Sequence, residues 1–231
     1  MSKRWRLADA VEILEKSSHG RMRRPVTDPF QMILWDSVAY LVDDERRESV
    51  YQELRRRVGL TPEAILRAPD SVLTEAIREG GMRPPDRAAR LKECAELAIE
   101  IGPARLRRLA RTDPSAARKL LKQFPGVADP GADKILLHNR SLVTLGPDSS
   151  VLRVLVRLGF GREEKDYSKT YRSAAEAVGP ELPADFDWLI RARQVLRRHG
   201  QLICVRNGPR CEMCPLKARC QAYQSKSFAP I

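Results

Sequence analysis

The chain has 231 residues, 42% hydrophobic and 31% charged, with 42 Lys+Arg against 30 Asp+Glu and a formal net charge of +12. This length suits one large domain or two small ones around a real core, and the apolar content argues against disorder. Five cysteines are too few for a disulfide-built scaffold. No window approaches the roughly 18 uninterrupted apolar residues of a membrane span, and Asp9, Glu12, Glu15 and Lys16 interrupt any apolar signal core near the N-terminus. The expectation is a cytoplasmic protein, nucleoid-associated if prokaryotic, with no membrane contact and a polyanionic partner, most often nucleic acid. The cationic surplus is unevenly spread: residues 1–24 carry +4 and residues 186–231 carry +7, leaving +1 for the stretch between. Either the termini are two solvated basic segments, or they fold together into one basic lobe facing a phosphate backbone.

Helical periodicity dominates the chain order. Helices are expected near 6–16, 29–42, 45–57, 61–67, 70–79, 84–101, 114–123, 132–139, 149–159, 168–178 and 184–199. In 84–101, Leu91, Cys94, Ala95, Ala98 and Ile101 share one face opposite the charges, and Pro84 or Pro85 suits the first turn. The stretch 29–42 is apolar nearly all round, as expected of a helix buried in a bundle. Thr61-Pro62, Pro69-Asp70, Asp113-Pro114, Gly146-Pro147, Gly179-Pro180 and Gly200 punctuate the series. The fold class read from this pattern is all-α, built from many short helices.

Three segments carry chemistry. In 120–137, one amphipathic helix runs into Phe124-Pro125-Gly126-Val127-Ala128, then Asp129-Pro130-Gly131, and a second helix begins. Gly126 and Gly131 permit a tight turn with backbone N–H groups forward, so the backbone of Gly126, Val127, Ala128 and Gly131 can receive a phosphate without reading sequence, although such a corner by itself is as often a plain connection. Ala132-Asp133 stands where a Walker A loop requires Lys-Ser/Thr, which rules out a nucleotide-binding loop of that kind. Next comes Leu145-Gly146-Pro147-Asp148-Ser149-Ser150. Asp148 is an N-cap candidate, and the same geometry suits an ionised carboxylate that stabilises an oxocarbenium-like sugar or orients water. Finally, Cys204, Cys211, Cys214 and Cys220 crowd into 17 residues with C-x6-C-x2-C-x5-C spacing. A compact run of four thiolates suits a cubane iron–sulfur cluster; structural zinc and unligated thiols are the alternatives. The loop between the first two cysteines would hold Arg206 and Arg210 in fixed, exposed positions. Cys94 reads as a core residue.

These three signals, in this order, resemble the helix-hairpin-helix (HhH-GPD) DNA glycosylases of the endonuclease III and adenine glycosylase branch, over about Pro29 to Cys220. The resemblance implies two helical lobes. One is a central helical-barrel domain with the hairpin, 28–141; the other, from both chain ends, 1–27 plus 142–231, carries a [4Fe–4S] cluster on the loop 204–220. It implies double-stranded DNA with a damaged or mismatched base as partner, a monomer, DNA across the cleft between the lobes, and a nucleotide flipped into a pocket there. On this correspondence Asp148 matches the catalytic aspartate. Phe124–Ala128 matches a Leu-Pro-Gly-Val-Gly hairpin, with Ala128 in place of the last glycine, and the four C-terminal cysteines match the cluster ligands.

Departures from the family pattern bear on the reaction. Bifunctional members carry a Schiff-base lysine two positions after that last glycine, where this chain has Pro130, which cannot form an imine. Lys134, a helical turn later, is a substitute candidate. The Asp-Thr-His of the family is Asp148-Ser149-Ser150, and the helix end that helps fill the gap left by the flipped base is Val38-Ala39-Tyr40-Leu41. There Tyr40, with Trp35, can stack on a base, although aromatics on an apolar helix also serve as core. The expected activity is a monofunctional glycosylase that hydrolyses the N-glycosidic bond. A bifunctional glycosylase/AP lyase and a non-catalytic lesion-binding iron–sulfur protein are the alternatives.

Overall fold

The computed structural model describes residues 5–17 and 26–226; the basic residues expected at 1–4 and 18–25 lie outside the described residues. Among the described residues there are thirteen α-helices, short 3₁₀ turns and no strand; the one bridge between extended residues joins Tyr40 and Gly81. No described helix is long and apolar enough to cross a membrane. The chain divides into two compact units, Met1–Arg24 with Val143–Ile231, and Pro25–Leu142.

The second of these units holds α2 (Pro29–Ser37), α3 (Asp44–Arg57), α4 (Pro62–Arg67), α5 (Asp70–Ala76), α6 (Pro84–Ile101), α7 (Pro103–Thr112), α8 (Pro114–Leu121) and α9 (Asp129–His138). Local chemistry starts these helices. Asp28, Asp43, Thr61 and Asp113 each accept a first-turn N–H, and proline occupies the first turn of α2, α4, α6, α7, α8 and α9. Each such cap is worth about 1 kcal/mol, enough to set where a short helix begins. α6 is the axle of the core: Leu91, Cys94, Ala95 and Ala98 are fully buried among side chains of α2, α4 and α5. α7 is absent from the helices expected on sequence, because only Leu106, Leu109 and Ala110 mark an apolar face among four arginines.

The helix expected over 29–42 stops at Ser37. Beyond Val38 the backbone finds tertiary partners instead of continuing: the Tyr40 amide donates to the Gly80 carbonyl at 2.8 Å, and Leu41 takes a left-handed φ of 57°. The buried Arg87 of α6 ties the segment down, donating to the carbonyls of Val38, Ile77 (3.0 Å), Gly81 (2.9 Å) and Met82 (3.0 Å). Hydrogen bonds from a charged donor are worth about 1.5–3 kcal/mol each, which makes this arginine the strut of the 38–42 loop. Tyr40, Leu41 and Met82 remain exposed on that loop and its neighbour.

The other unit holds α1 (Leu7–Ser17), α10 (Ser149–Leu158), α11 (Tyr167–Val178), α12 (Phe186–Leu202) and α13 (Gln221–Gln224). α1 packs on α12, and its Leu7 amide donates to Glu181 at 2.6 Å, so the two ends of the chain share one body. α10 packs against α11, α12 and α13. Asp148, Asp166 and Asp185 cap α10, α11 and α12. Gly200, expected as punctuation, instead lies buried inside α12. A Cβ there would stand 2.5 Å from the Ser150 carbonyl oxygen, so the glycine is what lets α12 approach the first turn of α10. Gly200→Ala is therefore expected to destabilise the protein by about 3 kcal/mol through backbone displacement, read as a lowered urea midpoint with unchanged slope.

Candidate functional site

Asp148 lies at the N-cap of α10, after the buried Leu145-Gly146-Pro147. Its Oδ1 accepts the amides of Ser150 at 3.0 Å and Val151 at 3.2 Å. Its Oδ2 accepts Nη2 of Arg193 at 2.8 Å and Nη1 of Arg197, both from α12. The arginines are four residues apart and so share a helix face. Arg193 also donates from Nε to the Gly146 carbonyl at 3.3 Å, which locks the residue before Pro147. Burial alone would raise the Asp148 pKa, but the charge of Arg197, then that of Arg193, and the Val151 amide outweigh it and hold the carboxyl well below the usual range. The side chain is 23% exposed, so it is reachable. Burial, with the Asp148 charge second, pushes the Tyr167 phenol up to about 12. With four donors on two oxygens, this carboxylate is a fixed negative charge and a poor proton acceptor. The spacing that singled out Asp148 gave no sign of its two arginines.

The cysteines begin where α12 ends. Cys204 follows its last turn, Cys211 opens the 3₁₀ turn Cys211–Met213 and Cys214 follows it, and Cys220 follows the turn Lys217–Arg219. The loop is closed by Arg210 N–H to the Ile203 carbonyl at 2.9 Å. Two buried arginines of α10 grip it. Arg153 donates to the carbonyls of Cys204 (2.7 Å) and Gly200 (2.6 Å). Arg157 donates to those of Val205 (2.8 Å) and Arg206 (3.0 Å), and its Nη1 lies 3.4 Å from Cys204 Sγ. His199 Nε2 lies 3.5 Å from Cys214 Sγ.

This donor set fits an iron–sulfur cubane. The thiols are close enough for their charges to raise one another: burial first and the neighbouring thiols after it push Cys214 up to about 11. Four thiolates together therefore need a cationic group among them. A cubane takes its four sulfurs at four separate irons. Arg206 and Arg210 are exposed on the clamped loop, and neither makes an ion pair among the described residues.

In the other unit the hairpin joins α8 to α9. Gly126 has a φ of +83°, Val127 donates to the Phe124 carbonyl at 3.0 Å, and Ala128 is extended. The exposed Gly126 and Ala128 amides donate to no acceptor among the described residues, and Gly131 lies in the first turn of α9. Arg90 of α6, not expected on sequence, lies alongside: a Cβ at Gly126 would be 3.6 Å from its Cδ and Nη1 atoms. Arg118 bonded to Asp129 (3.0 Å) and Asp133 (2.5 Å), with Lys122 on Asp129 (2.6 Å), braces α8 against α9.

Lys134 is nearly buried and paired with Asp36 of α2. Pro130 sits in the first turn of α9. Trp35 packs edge to face on Tyr51, with centroids 5.3 Å apart, as part of the core surround, while Tyr40 stands in solvent on the Arg87-braced loop.

The chain is similar to known proteins over most of its length. The chain is 28% identical over 205 residues to endonuclease III of Thermotoga maritima, covering 89% of this chain and 88% of that one. It is 31% identical over 175 residues to an endonuclease III homolog of Encephalitozoon cuniculi, covering 75% and 65%. It is also 28% identical over 119 residues to adenine DNA glycosylase of Buchnera aphidicola, covering 51% and 32%. The fold is similar to that of a trapped endonuclease III–DNA covalent intermediate (TM-score 0.70, 19% identity, 95% and 96% covered). It is similar too to a thermostable thymine-DNA glycosylase (TM-score 0.71, 20% identity, 95% of each chain covered). Residues 42–180, more than half of the sequence, match the HhH-GPD superfamily base excision DNA repair protein family, and the chain belongs to that family.

Proposed function

We propose that this protein is a monofunctional DNA glycosylase that everts a damaged or mismatched base from duplex DNA and hydrolyses its N-glycosidic bond. The observation that carries the reading is Asp148. It is a reachable carboxylate held ionised at a helix N-terminus, in a chain whose relatives bear the names endonuclease III and adenine DNA glycosylase. As the base departs, positive charge develops on the deoxyribose, and a carboxylate already ionised and oriented stabilises it without reorganising. Water then completes the displacement.

Binding falls to the other groups. The Gly126, Ala128 and Gly131 amides are offered to a phosphate, with the Arg90 cation beside Gly126, while the Val127 N–H is used inside the turn on the Phe124 carbonyl. Arg206 and Arg210 present two more cations to the DNA backbone. Tyr40, exposed and flanked by Leu41 and Met82, is the wedge that replaces the everted base; Trp35 supports that loop's root from the core side. Cys204, Cys211, Cys214 and Cys220 would hold a [4Fe–4S] cluster. When bound, the cluster supplies a crosslink that fixes the 205–210 loop, with Arg157 offsetting its negative charge.

Two positions support the monofunctional reading. Pro130 has no amine, and the Lys134 amine is engaged by the Asp36 carboxylate. Borohydride treatment during reaction with lesion-containing or abasic DNA is accordingly expected to trap no covalent adduct; a trapped chain would establish lyase chemistry.

A screen of duplexes bearing single defined lesions is expected to find at least one base released. Asp148→Asn should lower that release by about three orders of magnitude while duplex binding persists. If no lesion is released, the protein is a binding module. Because the pKa of Asp148 is depressed, its charged form persists at every pH above the folded value. The single-turnover rate should therefore show no loss from Asp148 protonation between pH 8 and about pH 5. An acid limb within that window that disappears in Asp148→Asn would contradict the fixed-charge role. The purified protein should be brown, with about four irons per chain, and Cys211→Ser should bleach it; stoichiometric zinc would refute the cluster.

A further inference from the structure

The near-neutral middle of the chain is itself polarised. Residues 25–102 carry 11 Lys+Arg against 15 Asp+Glu, whereas residues 103–123, which hold α7 and α8, carry seven against one. Part of that surplus is used inside the unit: Arg107 pairs with Asp28, and Arg118 and Lys122 pair with Asp129. Arg105, Arg108 and Arg111 of α7 are exposed and make no ion pair among the described residues. Spaced three residues apart, they form one row along the helix, about 4.5 Å per step. The opposite face is closed, because Leu106 and Ala110 are buried and Leu109 packs on the core.

Three features separate this row from an ordinary solvated helix surface. Exposed helices elsewhere in the unit mix signs: Arg56 and Arg57 pair with Glu53, Arg78 with Glu75, and Arg83 with Asp86. α7 contains no acidic residue. Every cation on it is arginine, whose planar fork suits two phosphate oxygens where lysine offers a point charge. The row is also firmly carried, since α7 packs on α8 and α9, the two helices that the hairpin joins. A lipid surface is a poor match, because the apolar side of α7 is committed to the core and cannot insert. We propose that Arg105, Arg108 and Arg111 form a second, sequence-independent contact with the sugar–phosphate backbone of DNA, on the same unit as the hairpin. Over its length of about 9 Å the row meets two or three phosphates of one strand, which follow one another every ~3.4 Å along the duplex axis. The proposal rests on the DNA-binding part of the reading above and not on base release.

The test measures equilibrium affinity of the full-length protein for an undamaged duplex at several salt concentrations, by fluorescence anisotropy. Replacing Arg105, Arg108 and Arg111 together by Gln is expected to weaken binding about tenfold or more near 0.1 M salt. The slope of log K against log salt becomes shallower by about 2 to 3, while the matching Lys triple keeps it. Arg55→Gln with Arg67→Gln removes two other exposed arginines that make no ion pair among the described residues of the same unit. That pair is expected to leave the slope within about 0.5, which separates the row from net charge. An unchanged slope in the Gln triple, or an equal loss per charge in the Arg55 and Arg67 pair, overturns the proposal; the row then belongs to solvent or to an acidic protein. Glutamine is as good a helix former as arginine, so the exposed positions tolerate it, and melting curves check this. Should the triple fail to fold, Arg108→Gln decides alone: a slope change of about 1 supports the row and none overturns it. Base release is scored separately. Release with an unchanged slope in the triple keeps the glycosylase and removes the row, shallower slopes with no release do the opposite, and a wild type that binds no duplex overturns both.

Discussion

One carboxylate joins two helices. Asp148 gives one oxygen to the first-turn amides of α10 and the other to two guanidinium groups of α12, and Gly200 lets the backbones of the two helices approach closely. The same pair of helices then grips the cysteine loop, because Arg153 and Arg157 of α10 hold the carbonyls that follow α12. The acid and the clamped loop are thus parts of one rigid assembly, and moving either displaces the other. On the proposed glycosylase reading such rigidity is the useful property, since a charge that must reorganise loses part of its stabilising effect.

The hairpin-bearing unit reaches rigidity differently. Its helices are short and individually marginal, so each is started by a cap or a proline and stabilised by its apolar face against α6. Arg87 does for the 38–42 loop what Arg153 does for the cysteine loop: it feeds N–H groups to carbonyls that no helix or strand satisfies. That strut is why an apolar trio, Tyr40, Leu41 and Met82, can stand in water on irregular backbone.

These arginines change how the net charge should be understood. The formal charge of +12 suggests an open basic surface, yet Arg87, Arg153, Arg157 and Arg193 are all buried. They are spent inside, on carbonyls and on Asp148, where an unpaired cation would be costly. Arg90 at the hairpin and Arg206 and Arg210 on the cysteine loop are among the cations that remain exposed.

The amino-acid sequence by itself determined what local chemistry can determine. Caps, first-turn prolines and apolar spacing located most helix starts, as in Pro84–Ile101, and the spacing of four cysteines and the Gly-Pro-Asp turn marked the two candidate sites. Only the tertiary structure decided the rest, because each remaining feature depends on a partner distant in sequence. α2 ends at Ser37 because Gly80 and Arg87 satisfy its next backbone groups. Gly200 sits within a helix because Ser150 lies against it. Lys134 is occupied by Asp36, 98 residues away, and Asp148 is met by arginines 45 and 49 residues on. Periodicity and spacing report a residue's neighbours along the chain, and burial, ion pairing and helix crossing are properties of neighbours in space.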